Sequence, residues 1–260
     1  SENFYRVIYY YLSKECASKN INLVLYIINA DNEKNLTLPF SLTQDELDGL
    51  FIAGEVSNGY IHLLRNLDMP LIAIDFYKPG ISFDCIVTDN FYASFLATMY
   101  LVDCGHKNIG FVGNPNSTSS IMDRYYGYLK ALRQSNLKFC EDWLIVNNDQ
   151  SGTYFYNYSL PSPMPTAFVC HCDMAAHHLM IKLQNQDISI PNDVSIISFD
   201  NTDLSSRCIP QLTTVDINKK EIAERAFHQM NWRINNLKSE PQRIIISTHL
   251  IERESVRKLI

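Results

Sequence analysis

The sequence predicts an α/β protein built on parallel sheets with helices on both faces. Six short apolar runs alternate with segments whose apolar residues recur every three and four positions. Strands separated by helices need crossovers, and crossovers lay the helices over the sheet faces. The 260 residues are 46% hydrophobic and 19% charged, enough for a large core in one or two α/β-sized units. No low-complexity tract or fixed-period repeat competes with this reading.

The chain opens on a helical pattern, "FYRVIYYYLSKECASKN", and continues into the strand-like "INLVLYIIN" at 21–29. Next come the strand run "LDGLFIAG" (47–54), the helical "NGYIHLLRNLD" and the strand run "MPLIAIDF" (69–76). "DNFYASFLATMYLVDCGHK" is a helix with Asp89 as its N-cap and Gly105 as a left-handed stop. The strand "KNIGFVGN" (107–114) and the helix "DRYYGYLKALRQSN" follow. "PTAFVCHCD" (165–173) then leads into "DMAAHHLMIKLQNQD", with Asp173 as the expected cap. Finally "DVSIISFD" (193–200) ends on Asp200, and a polar loop holding Asp203 leads to a second β-branched run, "LTTVDI". No strand precedes the first helix. In a doubly wound unit that strand is usually central, so the polypeptide is expected to continue upstream of Ser1.

Composition excludes several classes of function. A net charge of -6 argues against this chain itself wrapping nucleic acid, which needs clustered Lys and Arg. Seven cysteines, an odd number without a CxxC pair, argue against a disulfide framework and for a reducing compartment. With no signal-peptide pattern and no uncharged apolar run of ~18 residues, the expected location is the cytoplasm and no membrane is involved. GxSxG, HExxH, GxxxxGK[ST] and GxGxxG are all missing, so an enzyme is not expected. Two strand-end carboxylates could serve a glycosidase only at a separation of about 5–10 Å. Cys170, His171, Cys172, His177 and His178 are metal-ligand types. Strand alternation puts Cys170 and Cys172 on one face and His171 on the other, so buried thiols and surface histidines are expected, with no metal and no cofactor.

Four blocks, taken in order, resemble the effector-binding core of the lac and galactose repressor family of bacterial transcription regulators. They are "LDGLFIAG" with "MPLIAID"; "IVTDNFYASFLATMYLVDCGHKNIGFVGNPNSTSSIMDRYYGYLKAL"; "PTAFVCHCDMAAHHLM" with "IPNDVSIISFDNTDLSSRCIPQLTTVDI"; and "LIERES". The resemblance implies a periplasmic-binding-protein-like fold of two doubly wound parallel-sheet subdomains, joined by three crossovers around a ligand cleft. The subdomains would be 1–105 with 217–240 and 106–216 with 241–260. It further implies a homodimer that senses a small polar effector of the sugar class and that binds operator DNA through a helix-turn-helix module preceding this chain. A periplasmic sugar receptor for transport or chemotaxis has the same fold and is the alternative.

The candidate ligand residues follow from position and from this resemblance. Asp200 ends a strand, where ligands bind in open α/β sheets, and its carboxylate can accept from two adjacent hydroxyls; the matching family Asp contacts the effector. Arg124 offers a planar donor fork and matches an effector anchor. Thr118 and Ser120 share its loop, although "STSS" is also an ordinary turn. Phe4 and Tyr5 stand where the family places stacking side chains, and either could equally pack in the core. Asp75 closes "LIAID" and faces a ligand or a polar network in the hinge. Asp149, Gln150 and Tyr154 lie where relatives carry an aromatic lid or polar contact, in a segment that departs from the family pattern. Asp173 is a cap that also touches the ligand, while Asp203 is ordinary loop polarity.

Overall fold

The computed structural model describes residues 2–43, 46–149 and 153–259. The chain divides into two units. It enters the first with α1 (Glu2–Ser18), α2 (Ala30–Asn35), β1 (Leu50–Ala53), α3 (Asn58–Arg65), β2 (Leu71–Ile74) and β3 (Asp84–Thr88). It passes into the second between Val87 and Thr88. There it forms α4 (Asn90–Asp103), β4 (Ile109–Val112), α5 (Ser119–Gln134), β5 (Leu144–Ile145), β6 (Ala167–Cys170) and α6 (Asp173–Gln184), then β7 (Ser195–Asp200), α7 (Asp203–Arg207) and β8 (Thr213–Ile217). Between Ile217 and Asn218 it returns to the first unit with α8 (Lys219–Asn235) and β9 (Arg243–Ile246), and β10 (Thr248–Ile251) rejoins the second.

This division corrects two expected boundaries. Helix α4 belongs with the second unit, not the first, because α5 packs along it. At Gly127 the two backbones approach so closely that a Cβ would be driven onto the Phe91 carbonyl. Residues 241–246 stay in the first unit because β9 extends its sheet beside β3.

In the first unit the sheet order is β1-β2-β3-β9, with β1 and β2 parallel and Leu50 opposite Leu71. All four residues of β2 are buried, as expected for a parallel strand covered on both faces. Helix α1 buries Phe4, Ile8, Leu12 and Cys16, a four-residue spacing that makes one apolar stripe, and it packs on α8. The run 21–29 is a correction: no strand forms there, and Val24, Leu25 and Ile27 are exposed. A strand exists only with a paired neighbour, and among the described residues no strand pairs with this run.

In the second unit the order is β10-β8-β7-β6-β4-β5. β10 runs antiparallel to β8, so the sheet is mixed at one edge and not wholly parallel. The inner pairs are parallel, with Ile109 opposite Ala167, Ala167 opposite Ser195 and Ile197 opposite Thr213. Asp89 caps α4, but α6 is capped by the Cys172 thiol, and Asp173 is already inside the helix.

Positive φ angles gather where parallel strands end. Gly54 (93°) follows β1, Asp75 (70°) follows β2, Gly113 (150°) follows β4, and Asp200 (99°) closes β7 with Asn201 (44°) behind it. In non-glycine residues such backbone stores about 1–3 kcal/mol and persists only where the surroundings hold it, often at functional sites. These ends are also where open α/β sheets bind ligands.

Candidate functional site

The second unit builds its polar cluster at the carboxyl ends of β6 and β7. Arg124 projects from α5 and is buried, with its guanidinium over the Phe199 ring, 4.6 Å from the centroid. Its Nε donates to Asn90 Oδ1 (2.8 Å), and Nη1 donates to the His171 carbonyl and lies 3.5 Å from Asp200 Oδ1. Nη2 makes no hydrogen bond among the described residues, so two N–H donors remain beside a carboxylate whose side chain is 17% exposed. The two residues with the strongest sequence argument are thus brought together.

Around this pair stand His171, Tyr154 and Cys172. The Tyr154 ring stacks on His171 (5.9 Å, 17°), and its hydroxyl lies 3.0 Å from Cys172 Sγ. Burial, then the charge of Arg124, lowers the His171 imidazole to about 3, so it is neutral across the physiological range. Burial and the Asp200 charge push the Cys172 thiol up to about 11, which keeps it protonated. His171 carries a prediction for stability. Unfolded, the imidazole binds its proton near 6.5, and folded only near 3, so the unfolded state holds more protons in between and stability falls as pH drops through that window. His171→Gln should remove this slope, read as the unfolding midpoint measured from pH 7 to pH 4.

The other candidates separate by what already bonds them. Asp173 is buried, and its four acceptor positions are taken: Oδ1 by Ser198 (2.6 Å) and Thr214 (2.7 Å), Oδ2 by the Thr202 N–H (2.7 Å) and hydroxyl (2.8 Å). It is neither cap nor open to a ligand; it ties α6, β7 and β8 together. Burial first, then Asp200, raises its carboxyl above the usual carboxylate range. Thr118 is the N-cap of α5, accepting from the Ile121 N–H, and shares a hydrogen bond with Ser120 (3.0 Å). Asp149 accepts from the Thr153 N–H (2.9 Å). Gln150 lies outside the described residues. Asp203 is a surface residue paired with Arg207 at i+4 (3.7 Å).

In the first unit Tyr5 donates to Asp75 Oδ2 (3.2 Å), and its ring lies against Gly54, so the ends of β1 and β2 share one polar cluster. Of the two positions left open for Phe4, the structure shows the core one: it is buried, with its edge on Tyr5 (5.2 Å) and Lys219 Nζ 5.6 Å from its ring centroid. Its neighbour on α1 turns toward the strand ends while Phe4 joins the core stripe.

Sequence reasoning missed three contributors. His171 directly follows β6, so the strand-end argument that selected Asp200 would have found it. Asn90 holds the Arg124 Nε from α4, across a contact that no spacing reveals. Asn114 and Asn148 bond each other through side chain and backbone after β4 and β5, and the neighbouring Asn147 Oδ1 is buried with no hydrogen-bond partner among the described residues.

A family described as "Periplasmic binding protein-like domain" matches residues 98–256. The chain is 29% identical over 254 residues to the HTH-type transcriptional repressor PurR of Actinobacillus pleuropneumoniae serotype 3, covering 95% of this chain and 76% of that one. Among solved structures it is similar to a transcriptional regulator CelR–cellobiose complex (TM-score 0.85, 19% identity, 97% of this chain and 79% of that one). It is also similar to a LacI family transcriptional regulator from Enterococcus faecium with bound ribose (TM-score 0.80, 24% identity, 99% and 96%).

Proposed function

Because the chain belongs to the periplasmic binding protein-like family, as the effector-binding core of a lac/galactose-type regulator, we propose that its Arg124–Asp200 cluster holds a small neutral polyol, a sugar. The observation that carries this reading is the pairing of uncommitted Nη2 donors with a partly exposed carboxylate. Adjacent hydroxyls both donate and accept, so a diol can bond both groups at once. A ligand anion would meet Asp200 and a cation would meet Arg124, so the pair favours a neutral molecule. The ribose and cellobiose in similar structures support this class of effector.

The chain is the ligand-sensing region of a transcription regulator; its relatives are repressors, and the periplasmic-receptor alternative is not retained. In this proposal operator DNA is bound through a helix-turn-helix module outside this chain, because a net charge of -6 provides no phosphate footprint of its own. The effector acts through differential affinity for two states, and near-complete switching needs roughly a 10⁴-fold preference. The working form is a cytoplasmic homodimer, whose two-fold symmetry matches a palindromic site. Exposed Met174 and Ile181 on α6, with Tyr156 and Ile209 in the same unit, supply apolar surface for such a contact. Among the described residues no helix is long and apolar enough to cross a membrane.

Calorimetric titration with D-ribose, D-galactose and cellobiose, followed by recovery of the sugar, tests the reading. We expect one sugar to bind with one site per chain and to be recovered unchanged. Recovery of a cleaved or isomerised product would make the protein an enzyme, and no binding by any of the three would remove the sugar assignment.

A further inference from the structure

Asp200 and Asn201 are consecutive non-glycine residues with positive φ, 99° and 44°. Two such residues in sequence relax unless something holds them. What holds them is the Asn201 side chain. Its amide donates to Asp216 Oδ1 (2.7 Å), and its carbonyl accepts from Arg253 Nη2 (2.7 Å). Both partners are themselves fixed. Asp216 is on β8 directly opposite Asp200 in the parallel ladder, and Arg253 Nη1 donates to the Leu212 carbonyl (2.7 Å). On the far side of the turn Thr202 is bonded twice to Asp173. The turn that carries the effector carboxylate is therefore clamped to β8, the strand that ends at the passage between Ile217 and Asn218.

We propose that Asn201 and Asp216 are positioning residues: the amide–carboxylate bond between them holds Asp200 in the left-handed conformation that presents its carboxylate to Arg124 and to the effector. This rests on the effector site proposed above. Neither residue needs to touch the ligand. An alanine at 201 keeps the backbone requirement but loses both bonds, and an alanine at 216 removes the acceptor alone.

The test compares Asn201→Ala, Asp216→Ala and the conservative Asp216→Asn, which retains an Oδ1 acceptor. In effector-free crystal structures of the two alanine variants, Asp200 should leave the left-handed region and its carboxylate should move away from Arg124. Ribose should bind roughly tenfold more weakly, the loss of about one hydrogen bond's worth of placement. Asp216→Asn should retain both the geometry and the affinity, which separates positioning from a general loss of stability. If Asp200 keeps its φ and its contact with Arg124 in the alanine variants, or affinity holds while only the melting temperature falls, the proposal is overturned. Failure of the unsubstituted protein to bind ribose would count against the sugar reading and leave the crystallographic comparison in force. If Asn201→Ala does not fold, Asp216→Ala makes the same comparison.

Discussion

Arg124→Met should abolish measurable effector binding, with affinity falling by at least about 100-fold, because two charged N–H donors beside Asp200 disappear. The same change should destabilise the protein by about 2–3 kcal/mol, since Asn90 Oδ1 and the His171 carbonyl are buried acceptors that lose their donor. Arg124→Lys separates the two effects. A lysine keeps the positive charge near Asp200 but cannot serve Asn90, His171 and a ligand simultaneously, because it lacks the planar fork. Its binding should be weakened nearly as much while most of the stability is retained. Titration calorimetry and thermal unfolding on the same samples read both quantities.

The largest effect on stability should come from a different pair, Asp84 and Arg233 in the first unit. Both are buried, and the guanidinium meets the carboxylate through Nε–Oδ2 and Nη2–Oδ1 (2.8 Å). Every N–H of Arg233 is used, since Nη1 donates to the carbonyls of Asn236 (3.1 Å) and Ser239 (2.6 Å) and Nη2 also to Glu240 (3.0 Å). Asp84 Oδ1 additionally accepts from the Gln242 N–H (2.7 Å). The pair thus pins the end of α8 and the loop that feeds β9 onto the first residue of β3. Asp84→Ala strands a buried cation and should cost about 3–5 kcal/mol, read as a lower denaturation midpoint. Replacing both, Asp84→Leu with Arg233→Met, should recover much of that loss, because no unpaired charge then remains.

The legible parts of this molecule were those that repeat locally. Strand runs at 69–76, 107–114 and 193–200 contain β2, β4 and β7, since a parallel strand buried on both faces must be apolar throughout. Asp200 was identifiable because a carboxylate directly after such a run needs a reason. What stayed hidden depends on partners far away in the chain. The apolar run 21–29 looks like a strand by composition, yet pairing decides strands, and composition carries no pairing. Asp173 and Asp200 look alike in sequence. One is saturated by Ser198, Thr202 and Thr214, while the other keeps an exposed edge beside Arg124. The sequence points to a boundary at 105 and the chain passes at Val87–Thr88, because helix α4 reads as a continuation of the first unit until α5 is seen against it at Gly127.

Whether an effector binds at the carboxyl ends of β6 and β7 through Arg124 and Asp200 can be read by chemical-shift mapping with the bound sugar. Arginine Nε–H resonances are observable separately from the backbone, and Arg124 Nε is already held rigid by Asn90. Saturating sugar should shift the Arg124 Nε–H and the amides of His171, Asp200 and Asn201 more than any other signals of that unit. Shifts confined to the opposite, amino ends of the same strands, around Asn108, Thr166 and Val194, with the Arg124 signal unmoved, would contradict it.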